Sequence, residues 1–251
     1  MKFGMCAPLP DLEKALAAGA DYIEVNNARL VEMSDEVFKK HLAIAKQHPG
    51  SVLASNGFFL PEITLTGENQ SPDIRSFIET SISRLARLGV ETIVFGSGKA
   101  RNCPEGFPME KALEQVAEVS AMIADIGKPY GMVSIVEPLY KKECNVINKV
   151  AESCATAKAA NRENCKGLVD LFHFMNEAER LSELLPLVPE LGHVHICSSA
   201  RKLPYADDCT NYKAFLDTLR EGGYDGKISF EGAIPKDWDL VAGYFRFIRS
   251  L

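Results

Sequence analysis

Short β-branched apolar runs alternate with longer amphipathic stretches along the whole chain. The short runs predict strands over residues 2–6, 22–26, 51–56, 91–96, 130–137, 167–173, 192–197 and 227–231. Between them, apolar residues recur at helical spacing and predict helices near 10–19, 35–48, 71–88, 109–127, 145–160, 176–185, 210–222 and 237–250. The segment 71–88 carries the fullest set of signals. Ser71 has the chemistry of an N-cap, Pro72 suits the first helical position, and Asp73 suits the positive end of the helix dipole. Ile74, Phe77, Ile78, Ile82, Leu85 and Leu88 then fall on one face, and Gly89 supplies a stop.

Eight strand–helix units in 251 residues fit a (β/α)8 TIM barrel of ordinary length. An open doubly wound sheet is the alternative topology. No predicted strand is followed by GxGxxG or GxxxxGK[ST], so nothing supports a nucleotide-binding version of that sheet. The glycines of FGSGKAR (95–101) do not fit either pattern. No linker, repeat or low-complexity stretch interrupts the chain, so residues 1–251 read as one domain.

Composition narrows the class. With 46% apolar and 25% charged residues and a net charge of −6, the chain is an ordinary globular protein, not a disordered one. A domain of this size buries about three quarters of its unfolded surface and needs no disulfide or metal simply to fold. No apolar run approaches the roughly 20 residues that span a bilayer, and MKFGMCAPLPDLEKAL lacks the apolar region of a secretory signal. The seven cysteines are scattered and form no CxxC pair, which predicts reduced thiols and a cytoplasmic protein. Net acidity argues against a nucleic-acid partner.

Candidate chemistry follows from the barrel. Side chains at the C-terminal ends of barrel strands point into one pocket. The fifth strand ends in SIVEP, with Glu137; the sixth in LVDLFHF, with Asp170 and His173; the seventh in GHVHICSSAR, with His193 and His195; the eighth in KISFEG, with Glu231. Glu24 and Asn56 occupy like places on the second and third strands, and Asn56 is a candidate substrate contact. A lone carboxylate at a strand end is commonly a cap or a surface charge. Glu137, Asp170, His195 and Glu231, however, close four consecutive apolar runs, where a carboxylate is costly unless paired or bound to a cation. Three carboxylates and an imidazole suit Mn²⁺ or Mg²⁺, with Co²⁺ admissible, better than a thiolate-preferring structural zinc. Glu24 reads as a partner that orients a ligand. His193 reads as a packed core histidine, Cys197 as a small buried thiol, and Arg101 with Lys99 as candidates to hold a phosphate or carboxylate.

EPLYKKECNVIN (137–148), VDLFHF (169–174), HVHICSSARKLP (193–204) and ISFEG (228–232) resemble the xylose-isomerase-like sugar isomerases and epimerases, most nearly the D-tagatose/D-psicose 3-epimerase type. ASNGFFLPEITLTG and VFGSGKARNCPEGF resemble less-characterised relatives of that type, so the likeness spans all eight units. It implies one divalent metal on Glu137, Asp170, His195 and Glu231, substrate contacts at Glu143, His173 and Arg201, and proton transfer by Glu137 and Glu231. The implied reaction moves a proton through a metal-stabilised enediolate. Return of the proton on the opposite face of a ketose gives its 3-epimer, and return at the neighbouring carbon gives an aldose–ketose isomerase. A keto-sugar lyase is a further outcome of the same chemistry. The implied partner is a small sugar or sugar phosphate, and because such proteins are often dimers or tetramers, a homo-oligomer is admissible.

Two other classes compete. Apurinic-site endonucleases of the same superfamily use three metals and extra histidines, but the remaining histidines here, His41 and His48, fall in a predicted outer helix and at its end. A barrel that binds sugar without catalysis is opposed by the intact four-residue set.

Overall fold

The computed structural model describes residues 1–251. Its eight strands are β1 (Lys2–Cys6), β2 (Tyr22–Asn26), β3 (Val52–Asn56), β4 (Thr92–Phe95), β5 (Val133–Val136), β6 (Cys165–Asp170), β7 (Leu191–Ile196) and β8 (Lys227–Phe230). All pair in parallel in sequence order, and β1 closes on β8 through Lys2–Lys227 to Met5–Phe230, giving a closed (β/α)8 TIM barrel. No helix is long and apolar enough to cross a membrane.

Strand alternation decides which residues face the axis. Ile23, Val25, Val194, Ile196, Ile228 and Phe230 join the large apolar cluster between strands and helices. The alternate residues turn inward. Gly4 belongs to this inward set, because a Cβ there would lie 2.5 Å from the Tyr22 ring. On one side the interior is apolar, with Val94, Ile135 and Leu168 packed together. On the other side, Tyr22, Glu24, His193, His195 and Ser229 are buried polar residues joined by hydrogen bonds.

Two register shifts fall on functional strands, between Ile23 and Glu24 and between Gly167 and Leu168. Ser153 Oγ spans the second, accepting from Leu168 N at 3.1 Å and donating to the Val136 carbonyl at 2.7 Å. Such shifts re-aim the side chains that follow them, here Glu24 and Asp170.

The main helices are Leu12–Ala17, Asp35–Gln47, Ile74–Leu88, Met109–Gly127, Val150–Ala159, Tyr212–Glu221 and Trp238–Arg249, with short helices Leu171–Asn176 and Leu181–Leu184 after β6. The structure corrects the sequence reading at several ends. The helix expected from Ser71 begins at Ile74 with Asp73 in the cap position, because the Ser71 hydroxyl accepts instead from Thr64 N at 3.0 Å. Gly89 does end it in the left-handed conformation, at φ 88°. The helix expected from 145 begins at Val150. Asn148 spends its amide on the carbonyls of Leu139 and Cys144, at 2.6 and 2.7 Å, which holds that stretch as a loop. Of the expected helix 176–185, only Leu181–Leu184 is α-helical, after a short helix that ends at Asn176. Short helices Asn27–Glu32 and Gly98–Arg101 follow β2 and β4 where loops were expected.

Candidate active site

Glu137, Asp170, His195 and Glu231 converge at the C-terminal mouth of the barrel, with one donor atom from each lying within 4.8 Å of the others. The His195 ring is at the centre. Its Nδ1 lies 2.9 Å from Glu137 Oε1, 3.5 Å from Glu231 Oε2 and 3.7 Å from Asp170 Oδ2. Glu137, Asp170 and His195 are buried, and Glu231 is partly exposed.

Each side chain is placed by its own strand end. Asp170 is the N-cap of the helix Leu171–Asn176: Oδ1 accepts from Phe172 N at 2.7 Å and His173 N at 3.3 Å, which leaves Oδ2 for the cluster. That turn corrects the expected strand 167–173, which stops at Asp170. It also sets His173 beside the site. His173 Nδ1 accepts from Tyr140 N at 3.2 Å, and its buried Nε2 has no hydrogen-bond partner. Glu137 sits against Gly96, where a Cβ would come within 2.0 Å of Glu137 Oε2. Asn56 Nδ2 donates to Glu231 Oε1 at 3.1 Å. Arg201 is paired with Glu143 and lies 3.9 Å from Glu231 Oε2, with its guanidinium over the Phe172 ring. Its backbone is left-handed, at φ 54°, a conformation costly for a residue with a Cβ and often kept at functional turns.

Electrostatics follow from the crowding. Burial opposes charge on His195, but Glu24, Glu231, Asp170 and Glu137 overcome it and hold the imidazole well above its ordinary pKa. Burial likewise opposes the Asp170 carboxylate, yet His173 and His195 hold it below the usual range. Glu231 goes the other way: burial, with Glu137 and Asp170 nearby, pushes it up to about 7 against the pull of His195. Three carboxylates around one imidazole leave excess negative charge in a low-dielectric pocket, and a divalent cation is the simplest counter-charge. The donor set, oxygen-rich with one nitrogen, is the kind that Mn²⁺, Mg²⁺ or Co²⁺ accepts.

The residues around the cluster form a buried chain. Glu24 accepts from His195 Nε2 at 3.0 Å, His193 Nε2 at 2.8 Å and Ser229 Oγ at 2.6 Å, and Tyr22 OH lies 2.9 Å from Ser229 Oγ. By accepting a hydrogen bond from Nε2–H, Glu24 leaves Nδ1 facing the carboxylates. His193 is buried as expected, but it is a hydrogen-bonded member of this chain and not only packing. Tyr22 and Ser229 were not singled out by sequence; their inward alternation with Glu24 and Glu231 on β2 and β8 was the available signal. Arg101 is a correction. It is fully buried, donates to the Phe95 carbonyl at 3.1 Å and to the Glu137 carbonyl, and so cannot receive a phosphate. Cys197 is buried and stands outside the four-residue cluster, its thiol pushed up by burial.

A closed parallel barrel with a carboxylate–imidazole cluster at its strand ends defines the class of this protein. The chain belongs to the xylose isomerase-like TIM barrel family, whose sequence model matches residues 12–248. It is 28% identical over 239 residues to a D-psicose 3-epimerase of Agrobacterium fabrum, covering 92% of this chain and 79% of that one. Its fold is similar to the crystal structure of a D-allulose 3-epimerase from Methylomonas sp., with TM-score 0.86 and 18% identity over 100% of this chain and 97% of that one. It is also similar to 3-keto-D-glucoside 4-epimerase from E. coli, with TM-score 0.84 and 19% identity over the whole of both chains.

Proposed function

We propose that this protein is a divalent-metal-dependent sugar isomerase that epimerises a ketose at carbon 3. The observation that carries the reading is the convergence of Glu137, Asp170, His195 and Glu231 within 4.8 Å. The 3-epimerase names of similar proteins support the reaction type. In this reading the four residues hold one cation, Mn²⁺ by preference. When bound, the cation stabilises negative charge that builds on the sugar's carbonyl and neighbouring hydroxyl oxygens.

The proton transfers belong to the protein. Glu137 and Glu231 stand on opposite sides of His195 in strand order, after β5 and β8. One removes the carbon-bound proton and the other returns one on the opposite face. The raised pKa of Glu231, about 7, suits a group that both takes and gives a proton near neutrality. His173 donates its unpartnered Nε2–H to a sugar oxygen, and the Arg201–Glu143 pair and Asn56 hold hydroxyls. Glu24 fixes the ring of His195. The same reading assigns the protein to the cytoplasm, supported by seven free cysteines.

The test is hydrogen exchange. The Mn²⁺-loaded protein is incubated in D₂O with a panel of free and phosphorylated ketoses and followed by NMR, beside Glu231→Gln. Exchange at carbon 3 with the epimer appearing is expected from the wild type, and none from the variant. Exchange at carbon 1 or 2 with an aldose appearing makes it an aldose–ketose isomerase instead. No exchange with any sugar refutes the reading for that panel.

A further inference from the structure

A cavity of about 290 Å³ lies beside the cluster on the β2 side of the barrel mouth, separated from it by Glu24, Asn56 and Gly232. Its wall runs from Cys6, Glu24 and Asn56, at the ends of β1, β2 and β3, to Arg29 and Met33 after β2 and to His41 on the helix Asp35–Gln47. The volume suits one small ligand, near the lower end of the roughly 300–1,000 Å³ of such sites. Asn56 joins this space to the cluster, since the same amide donates to Glu231.

The polar groups of the wall are unequal. The Glu24 carboxylate is consumed by two histidines and a serine. The Asn26 side chain caps its own turn, accepting from Arg29 N at 3.1 Å. The Arg29 guanidinium, by contrast, stands exposed at the rim of this cavity with neither an ion pair nor a side-chain hydrogen bond, free for a ligand there. His41, on the same wall, buries its Nδ1 with no hydrogen-bond partner. Thus the wall holds one uncompensated cation and an unused imidazole nitrogen, while Glu24 and Asn56 join it to the cluster through His195 and Glu231.

We infer that the substrate is an anionic sugar whose phosphate or carboxylate, at the end remote from the reacting carbon, is held by Arg29 with His41 beside it. This rests on the function proposed above and narrows its substrate class. A guanidinium offers a planar fork of donors to a phosphate or carboxylate, and a neutral sugar would leave it without a counter-charge. The carboxylate cluster, beyond Glu24 and Asn56, repels the anionic end and so sets the sugar's direction.

Calorimetric titration of the metal-loaded full chain with D-fructose, D-fructose 6-phosphate and D-fructuronate tests this. The expected result is that at least one anionic ketose binds about tenfold or more tightly than fructose, the scale of one charge-assisted hydrogen bond. The phosphate and the carboxylate arms tell the two sources apart. Arg29→Met removes the difference, Arg29→Lys keeps part of it, and raising the salt narrows it. Equal affinity for all three sugars in the wild type, or a difference that survives Arg29→Met, overturns the inference. Preferential binding with no exchange of carbon-bound hydrogen leaves the anion site standing and defeats the epimerase reading. Exchange on free ketoses without any preference does the reverse.

Discussion

Gly96 offers a clean separation of fold from site. It follows β4, and its φ lies outside the left-handed region, so alanine meets no backbone penalty there. The added Cβ would sit 2.0 Å from Glu137 Oε2 and 3.1 Å from Glu137 Cδ. Ordinary contact begins at 3.4 Å, so the carboxylate must retreat by about 1.4 Å. The obstructed atom is the far end of a flexible side chain, and the fold can yield. The site cannot yield as easily, because Glu137 Oε1 is held 2.9 Å from His195 Nδ1. Functional groups tolerate displacements of roughly 0.5 Å, and about 1 Å of misplacement costs on the order of a hundredfold in rate. Gly96→Ala therefore lowers kcat/KM about a hundredfold, or roughly 2.7 kcal/mol of transition-state stabilisation, and weakens Mn²⁺ binding, while the melting temperature stays within a few degrees. Steady-state kinetics, metal titration and thermal melting on one preparation read all three. Kinetics within threefold of wild type would refute the reasoning, since Glu137 would then not need its present position. A collapse in melting temperature would refute the claim that the fold yields.

Glu24→Gln keeps shape but puts an amide N–H against N–H donors; metal affinity is expected to fall about 10- to 100-fold, as for other partners of metal-bound histidines, read by Mn²⁺ titration. Cation affinity itself should rise with pH between about 5 and 8. Glu231, at about 7, and His195, well above its ordinary value, hold protons at low pH that a cation must displace, so an affinity that is flat over this range counts against the cluster as the metal site. Arg101→Met leaves the Glu137 carbonyl unpaired in a buried site and removes one of two bonds to the Phe95 carbonyl; a loss of about 2 kcal/mol is expected, seen as a melting temperature lower by roughly 4–8 °C. If Arg101 instead met substrate, the melting temperature would hold and KM would rise.

Much of this protein was legible in its sequence because the information is local. Alternation along a strand and a 3.6-residue period along a helix depend only on neighbouring residues. They gave β1 and β2 at their observed bounds, the helix Met109–Gly127, and eight units whose number and order imply a closed barrel. The four clustered residues were legible for the same reason, since each ends an apolar run and a parallel barrel gathers such ends at one mouth. Caps were less legible. Ser71 and Asn148 could serve a helix or a loop, and only the partner that arrives in the folded chain, Thr64 N or the Leu139 carbonyl, decides between them.

What tertiary structure alone decided is the pairing of buried polar groups across the barrel. Glu24 and His195 are 171 residues apart, and Arg101 and the Glu137 backbone carbonyl that it bonds 36 apart, and no local period relates them. A buried polar group must find a partner wherever the fold brings one. Arg101 found two carbonyls and so became part of the scaffold, whereas Arg29 found none. Sequence fixes which groups carry charge and at which strand end; the closed barrel decides which of those charges neutralise one another and which are left for a ligand.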